Sequence, residues 1–235
     1  MRKGVNLQGC KTPILNEKRC KLFALNVQKY IILFMIMNNK DSVHVVIAHY
    51  NEDTTWINNI KYKYTLITKN GFPLETIPNK GSEASTYLQY IISNYETLSE
   101  YTIFVHGHQN SWHCKENMDE KINKLVFDKN YYNINDNVNT EKLVYSWCKN
   151  TDRFIPEIID NISLVLKSNI DINNIIYKQC SQFYVKKDNI LKHSKETYIH
   201  LHNYLMTTTI PSWLTGRGFE YTWHYIFTGE QHDKS

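Results

Sequence analysis

The densest group of chemically competent side chains is His106-Gly107-His108, followed closely by Asn110, Trp112 and His113. His106 and His108 stand two apart, so on an extended strand both imidazoles point to one face. Neutral imidazoles ligate metals, move protons or donate to phosphate. His106 and His108 are therefore candidate metal ligands, and His108 a candidate catalytic group. No nearby cysteine pattern completes a structural zinc site. Towards the C-terminus, Arg217, Glu220 and His224 are spaced i, i+3, i+7 beside an apolar stripe of Phe219, Trp223, Ile226 and Phe227. Glu220 and His224 can orient one another, share a metal or present a base to a hydroxyl. The same spacing equally suits an amphipathic surface helix with a salt-bridged face.

Two further polar groups stand where ligands meet parallel sheets. Tyr50-Asn51-Glu52-Asp53 follows the apolar run Val43–Ala48, and its carboxylates can bind a ribose or a base, or cap the next helix. Asn79-Lys80-Gly81 precedes a long helical pattern, where free amides favour an anion and Lys80 adds positive charge. A plain helix-start loop with a solvated lysine fits that segment as well.

The elements that must position these groups follow from periodicity. Val43–Ala48, Tyr64–Thr68 and Tyr101–Val105 read as buried strands. Thr54–Ile60 reads as a short helix, and Asn70-Gly71 as a turn. Ser82 is the expected N-cap of a helix with Ala84, Leu88, Ile91, Ile92 and Tyr95 on one face. Strand, helix, strand, helix, strand in that compass predicts a Rossmann-like, mostly parallel α/β sheet with flanking helices in a single domain. Beyond it, the spacing predicts helices over 117–126, 158–166, 196–206 and 216–227. Strand character is expected over 175–177 and 180–185, and a loop or insertion over 128–140.

Composition narrows the function classes. Of 235 residues, 26 are Asn, 26 Ile, 23 Lys and 17 Tyr, against 3 Ala and 4 Arg, a skew towards A/T-rich codons. Lysine abundance is thus weak grounds for a nucleic-acid partner. The net +4 is uneven: residues 1–37 hold seven basic residues against Glu17, a net of +6, whereas the remainder holds 20 basic and 22 acidic residues, a net of −2. Residues 1–37 are accordingly expected to be a basic extension outside the folded unit, 38–235. Tyr30–Met37 is only eight apolar residues, too short to span a bilayer. A basic segment before an apolar one also fits a secretory or membrane-associating leader, although no small-residue cleavage site follows. Met35 or Met37 is a third candidate, as an internal start. Five scattered cysteines without a C-x-x-C pair point to a reducing, cytoplasmic setting.

The blocks Val45–Asp53, Asn79–Ala84 with Tyr87-Leu88, Thr102–His108, Ser181–Val185 and Gly216–Phe227 together resemble a family of uncharacterised DUF-type proteins. Their order is similar to that of GT-A glycosyltransferases. The resemblance implies a nucleotide-sugar donor, a glycan or other hydroxyl acceptor, and a divalent metal, Mn²⁺ or Mg²⁺. It places Tyr50, Asn51, Glu52 and Asp53 at the nucleotide and Asn79, Lys80, Gly81 and Glu83 at the donor. It puts His106-Gly107-His108 at the metal-motif position and makes Glu220 the candidate base. No Asp-x-Asp follows Phe104-Val105, although carboxylates are the usual ligands of those metals. Either histidines and a distant acid replace them, or Lys80 and Arg217 carry the diphosphate. A metal-dependent hydrolase built on His106, His108 and His113 is the alternative. A non-catalytic carbohydrate-binding module is a third reading, with Tyr50, Trp112 and Trp223 as stacking surfaces. No nucleic acid and no integral membrane span are expected.

Overall fold

Side-chain alternation along the central strands dictates a sheet covered on both faces. In β1 (Val43–His49) Val45 and Ile47 turn to one side and Val46 to the other, and all three are fully buried. The computed structural model describes residues 41–69, 78–136, 140–142 and 153–234. The expected extension over 1–37 and the Asn70-Gly71 turn lie outside those residues.

After β1 come a 3₁₀ turn (Thr55–Asn59), β2 (Lys63–Thr68), α1 (Ala84–Asn94) and β3 (Tyr101–His106). Next are α2 (Met118–Lys124), β4 (Tyr131–Asn133), β5 (Thr140–Lys142) and α3 (Ile155–Leu166). The chain continues through β6 (Ile176–Lys178), β7 (Phe183–Lys186) and a one-turn α4 (Lys187–Ile190). It closes with α5 (Lys195–Thr207) and α6 (Ser212–Thr228).

The five-stranded sheet has the order β2-β1-β3-β7-β4, and β5 pairs with β6 in a separate two-stranded sheet. β1 is parallel to both β2 and β3, whereas β7 runs antiparallel to β3 and to β4. The α/β class holds, but the sheet is mixed rather than mostly parallel. Phe183–Val185 is buried on both faces, and such an apolar run reads the same in either direction. β4 lies where a loop is expected. Asn133 can be buried there because its amide donates to the carbonyls of Lys178 and Gln179.

Val46, Phe104, Phe183 and Val185 pack on one face against Tyr87, Leu88 and Ile91 of α1, and against α3, α5 and α6. Val45, Ile47, Ile103, Val105 and Tyr184 pack on the other against Trp56, Ile57, Met118 and Ile122. Three helix starts differ from expectation, and that of α3 comes at Ile155 rather than at 158. Ser82 does not cap α1: it sits in a turn at φ +50°, and the N-cap position is Glu83, without a side-chain cap bond. α6 begins at Ser212, a turn before the expected Gly216, because buried Gly216 and Gly218 weaken its sequence signal without breaking the helix. Among the described residues no helix is long and apolar enough to cross a membrane.

Candidate functional site

The strand order 2-1-3 means that the chain leaves β1 towards one side and later returns on the other. That reversal opens a crevice at the carboxyl ends of β1 and β3, where ligands bind open α/β sheets. A cleft of about 210 Å³ lies there, lined by Ala48, His49, Tyr50 and Glu52 after β1, Lys69 after β2, and His106 and His108 at the end of β3. Asn79, Ser82 and Glu83 complete it from the start of α1.

Glu52 is the fixed point of this cleft. Its Oε2 accepts from the amides of Tyr50 at 2.6 Å and Asn51 at 3.1 Å, while Oε1 stands 3.4 Å from His108 Nε2. Burial pushes its carboxyl up, but the backbone amides, His108 and His49 together bring it below the usual value. His49 is fixed in turn. Its Nε2 donates to the Glu52 carbonyl at 3.1 Å, and its Nδ1 lies 2.9 Å from Thr68 Oγ1. Gly107 is required between the two histidines, because a Cβ there would stand 2.8 Å from Glu52 Oε2 and 3.3 Å from the Ala48 carbonyl oxygen. Trp56 Nε1 donates to the Gly107 carbonyl at 2.8 Å and holds that turn from beneath.

On the α1 side, Glu83 Oε2 lies 3.9 Å from His106 Nε2. Burial lowers the His106 pKa, with Glu83 opposing, so the ring is neutral near pH 7. The His106 amide donates to Gln182 Oε1 at 3.1 Å, and Gln182 Nε2 donates to Asn135 Oδ1 at 2.9 Å. The Asn135 amide reaches back to the Cys180 carbonyl. A buried polar network therefore supports the end of β3.

Residues 45–234 match the family described as Protein of unknown function (DUF3431). The chain belongs to this family. Neither curated proteins nor solved structures give a match. All the cleft residues of this DUF3431 protein lie inside the matched span.

Of the residues expected from the DUF3431 sequence, Tyr50, Glu52, Asn79, Glu83, His106 and His108 meet in the cleft. The others stand elsewhere. Asn51 contributes its amide to Glu52, and Asp53 accepts from the Thr55 amide at 2.9 Å. Lys80 Nζ donates to the Thr208 carbonyl at 2.9 Å, and the Gly81 amide to Ser212 Oγ at 2.7 Å. Arg217 lies over the Trp213 ring at 5.3 Å. Glu220 Oε1 accepts from the Cys180 amide at 2.7 Å, outside the cleft lining. His224 is buried with its Nε2 3.2 Å from the Gln231 carbonyl, in a different pocket with His232 and Asp233. The helical spacing of Arg217, Glu220 and His224 defines a stripe but not what the stripe meets.

His113 sits edge-on to His106 at 5.9 Å between ring centres, and its Nδ1 is 2.7 Å from Asn135 Oδ1. Among the described residues no group of three or more His, Cys, Asp or Glu side chains is arranged to hold a metal ion. With Glu52 Oε2 held by two amides and His113 by Asn135, the residues present do not fit a protein-built metal cage.

Two titratable cleft residues escape the sequence reading. His49 and Lys69 stand at or just past the carboxyl ends of β1 and β2, so the strand-end rule applied to every parallel strand would have found them. Lys69 is buried, and its pKa is lowered to about 8 by burial, with Glu83 partly opposing.

Proposed function

We propose that this cleft binds the sugar–diphosphate end of a nucleotide-sugar and that the protein transfers the sugar to a hydroxyl acceptor, as a GT-A-like glycosyltransferase. The observation that carries the reading is the meeting of the β1 end, the α1 start and the β3 end in one polar cleft at the switch point. These are three of the blocks on which the resemblance rests. Tyr50, 45% exposed at the cleft, offers a ring face to the nucleobase or ribose. Lys69 and the first turn of α1 face the diphosphate.

The transfer breaks the bond between the anomeric carbon and the diphosphate oxygen and forms one to the acceptor oxygen. The bonding pair leaves with the nucleoside diphosphate, and the hydroxyl proton goes to a base. Glu83 is the carboxylate suited to that task. It lines the cleft beside His106, whereas Glu220 holds the Cys180 amide. Glu52, pinned by two amides and His108, orients rather than accepts.

The experiment is release of nucleoside diphosphate from a panel of nucleotide-sugars, with sugar alcohols as acceptors and water as the background acceptor. Release that drops at least 100-fold in Glu83→Gln, with donor affinity kept, is the expected result. A chain that neither binds nor turns over any donor contradicts the proposal.

A further inference from the structure

Lys69 is 8% exposed, yet among the described residues its Nζ makes a single hydrogen bond, at 3.5 Å, to the Lys80 carbonyl. That length is at the limit of hydrogen bonding. A buried ammonium needs a counter-ion and full hydrogen bonding to offset its desolvation. Glu83 supplies only part, since burial outweighs its attraction. On α5, burial and the Lys69 charge lower the pKa of the His202 imidazole, so that ring adds no second positive charge and offers no counter-ion.

A second group in the cleft is also left incomplete. His106 Nε2 is buried without a hydrogen-bond partner among the described residues, and a buried polar atom in that state asks for one. Asn79, Ser82 and Glu83, which lead into the 11-residue α1, line the same cleft, and a helix start attracts anions.

We infer that Lys69 and His106, together with the first turn of α1, form a phosphoryl-binding subsite that works without a metal ion. The groups that line it come from three elements, the β2 end, the β3 end and the segment that leads into α1. They therefore converge from three directions, which suits a tetrahedral group better than the two coplanar oxygens of a carboxylate. The inference rests on the glycosyl-transfer reading only for the identity of the molecule that brings the phosphoryl group.

The test uses inorganic pyrophosphate as the probe, titrated calorimetrically into the full chain in EDTA, for the wild type and Lys69→Met. Urea midpoints of both proteins are measured without ligand. The wild type binds, K69M binds at least tenfold more weakly, and unliganded K69M is as stable as the wild type or more so, because an under-compensated charge has been removed. No binding by the wild type, or equal binding by K69M, overturns the inference. So does a K69M chain that is less stable or fails to fold, because Lys69 is then a structural cation. Pyrophosphate binding without nucleotide-sugar binding removes the glycosyl-transfer reading and keeps the subsite. Equal nucleotide-sugar affinity in both proteins removes the subsite and keeps that reading.

Discussion

Gly107 and Glu52 are fitted to each other: a Cβ at position 107 would stand 2.8 Å from Glu52 Oε2 and 3.1 Å from its Cδ. The Glu52 carboxylate cannot retreat without losing the Tyr50 and Asn51 amides. Gly107→Ala is therefore expected to cost about 1–3 kcal/mol of stability, as overpacking does, and to weaken ligand binding. Urea denaturation and donor titration of the same variant check both. An alanine variant with unchanged stability and affinity would mean that the loop yields freely.

Gln182 links the His106 amide to Asn135 from beneath the cleft. Gln182→Met keeps the volume and removes these bonds along with its contacts to His113 Nδ1 and Cys114 Sγ, leaving Asn135 Oδ1 with His113 and Cys114. The expected loss is about 1–3 kcal/mol, accompanied by lower turnover, because His106 is no longer fixed. Unfolding midpoints and donor turnover read the two effects separately.

Lys69 gives a pH dependence with a definite sign. In the unfolded chain it titrates at the ordinary lysine value of 10.5, and in the fold at about 8. Between those values the unfolded chain binds more protons, so this group makes stability rise with pH across the window. Below about 8 its full penalty is present. The stability gap between K69M and the wild type is expected to be largest at pH 7 and to shrink towards pH 10. A constant gap in midpoints across that range contradicts the assignment.

Glu220 and Glu83 separate by consequence. Glu220→Gln keeps an oxygen for the Cys180 amide and is expected to leave donor turnover within about threefold. Glu83→Gln removes the base and is expected to lower it by about 100-fold or more. The reverse order in initial rates would return the base to Glu220.

The three central strands and α1 are legible in the sequence because their burial is complete and periodic: Val45, Val46 and Ile47 are fully buried, as are Tyr87, Leu88 and Ile91. The direction of β7 is not legible, since the apolar run Phe183–Val185 fits either orientation. Four of the ten cleft residues can be read from strand ends, namely Tyr50, Glu52, His106 and His108. Lys69 is hidden because one lysine among 23 carries no mark of burial. Lys80 and Arg217 fail in the opposite way. Their charges suit a phosphate, but the Thr208 carbonyl, 128 residues from Lys80, and the Trp213 ring, one helical turn from Arg217, hold them, and charge alone foretells neither partner.

The central claim is that the nucleotide-sugar enters at the β1–β3 switch point. The most direct measurement is long-range ¹H–¹⁵N spectroscopy of the ten histidine side chains during titration with a nucleotide-sugar panel. The account predicts that a binding donor shifts the imidazole signals of His49, His106 and His108 and leaves those of His193 and His224 unmoved. Shifts confined to His224 and His232, or no shift with any donor, would contradict it.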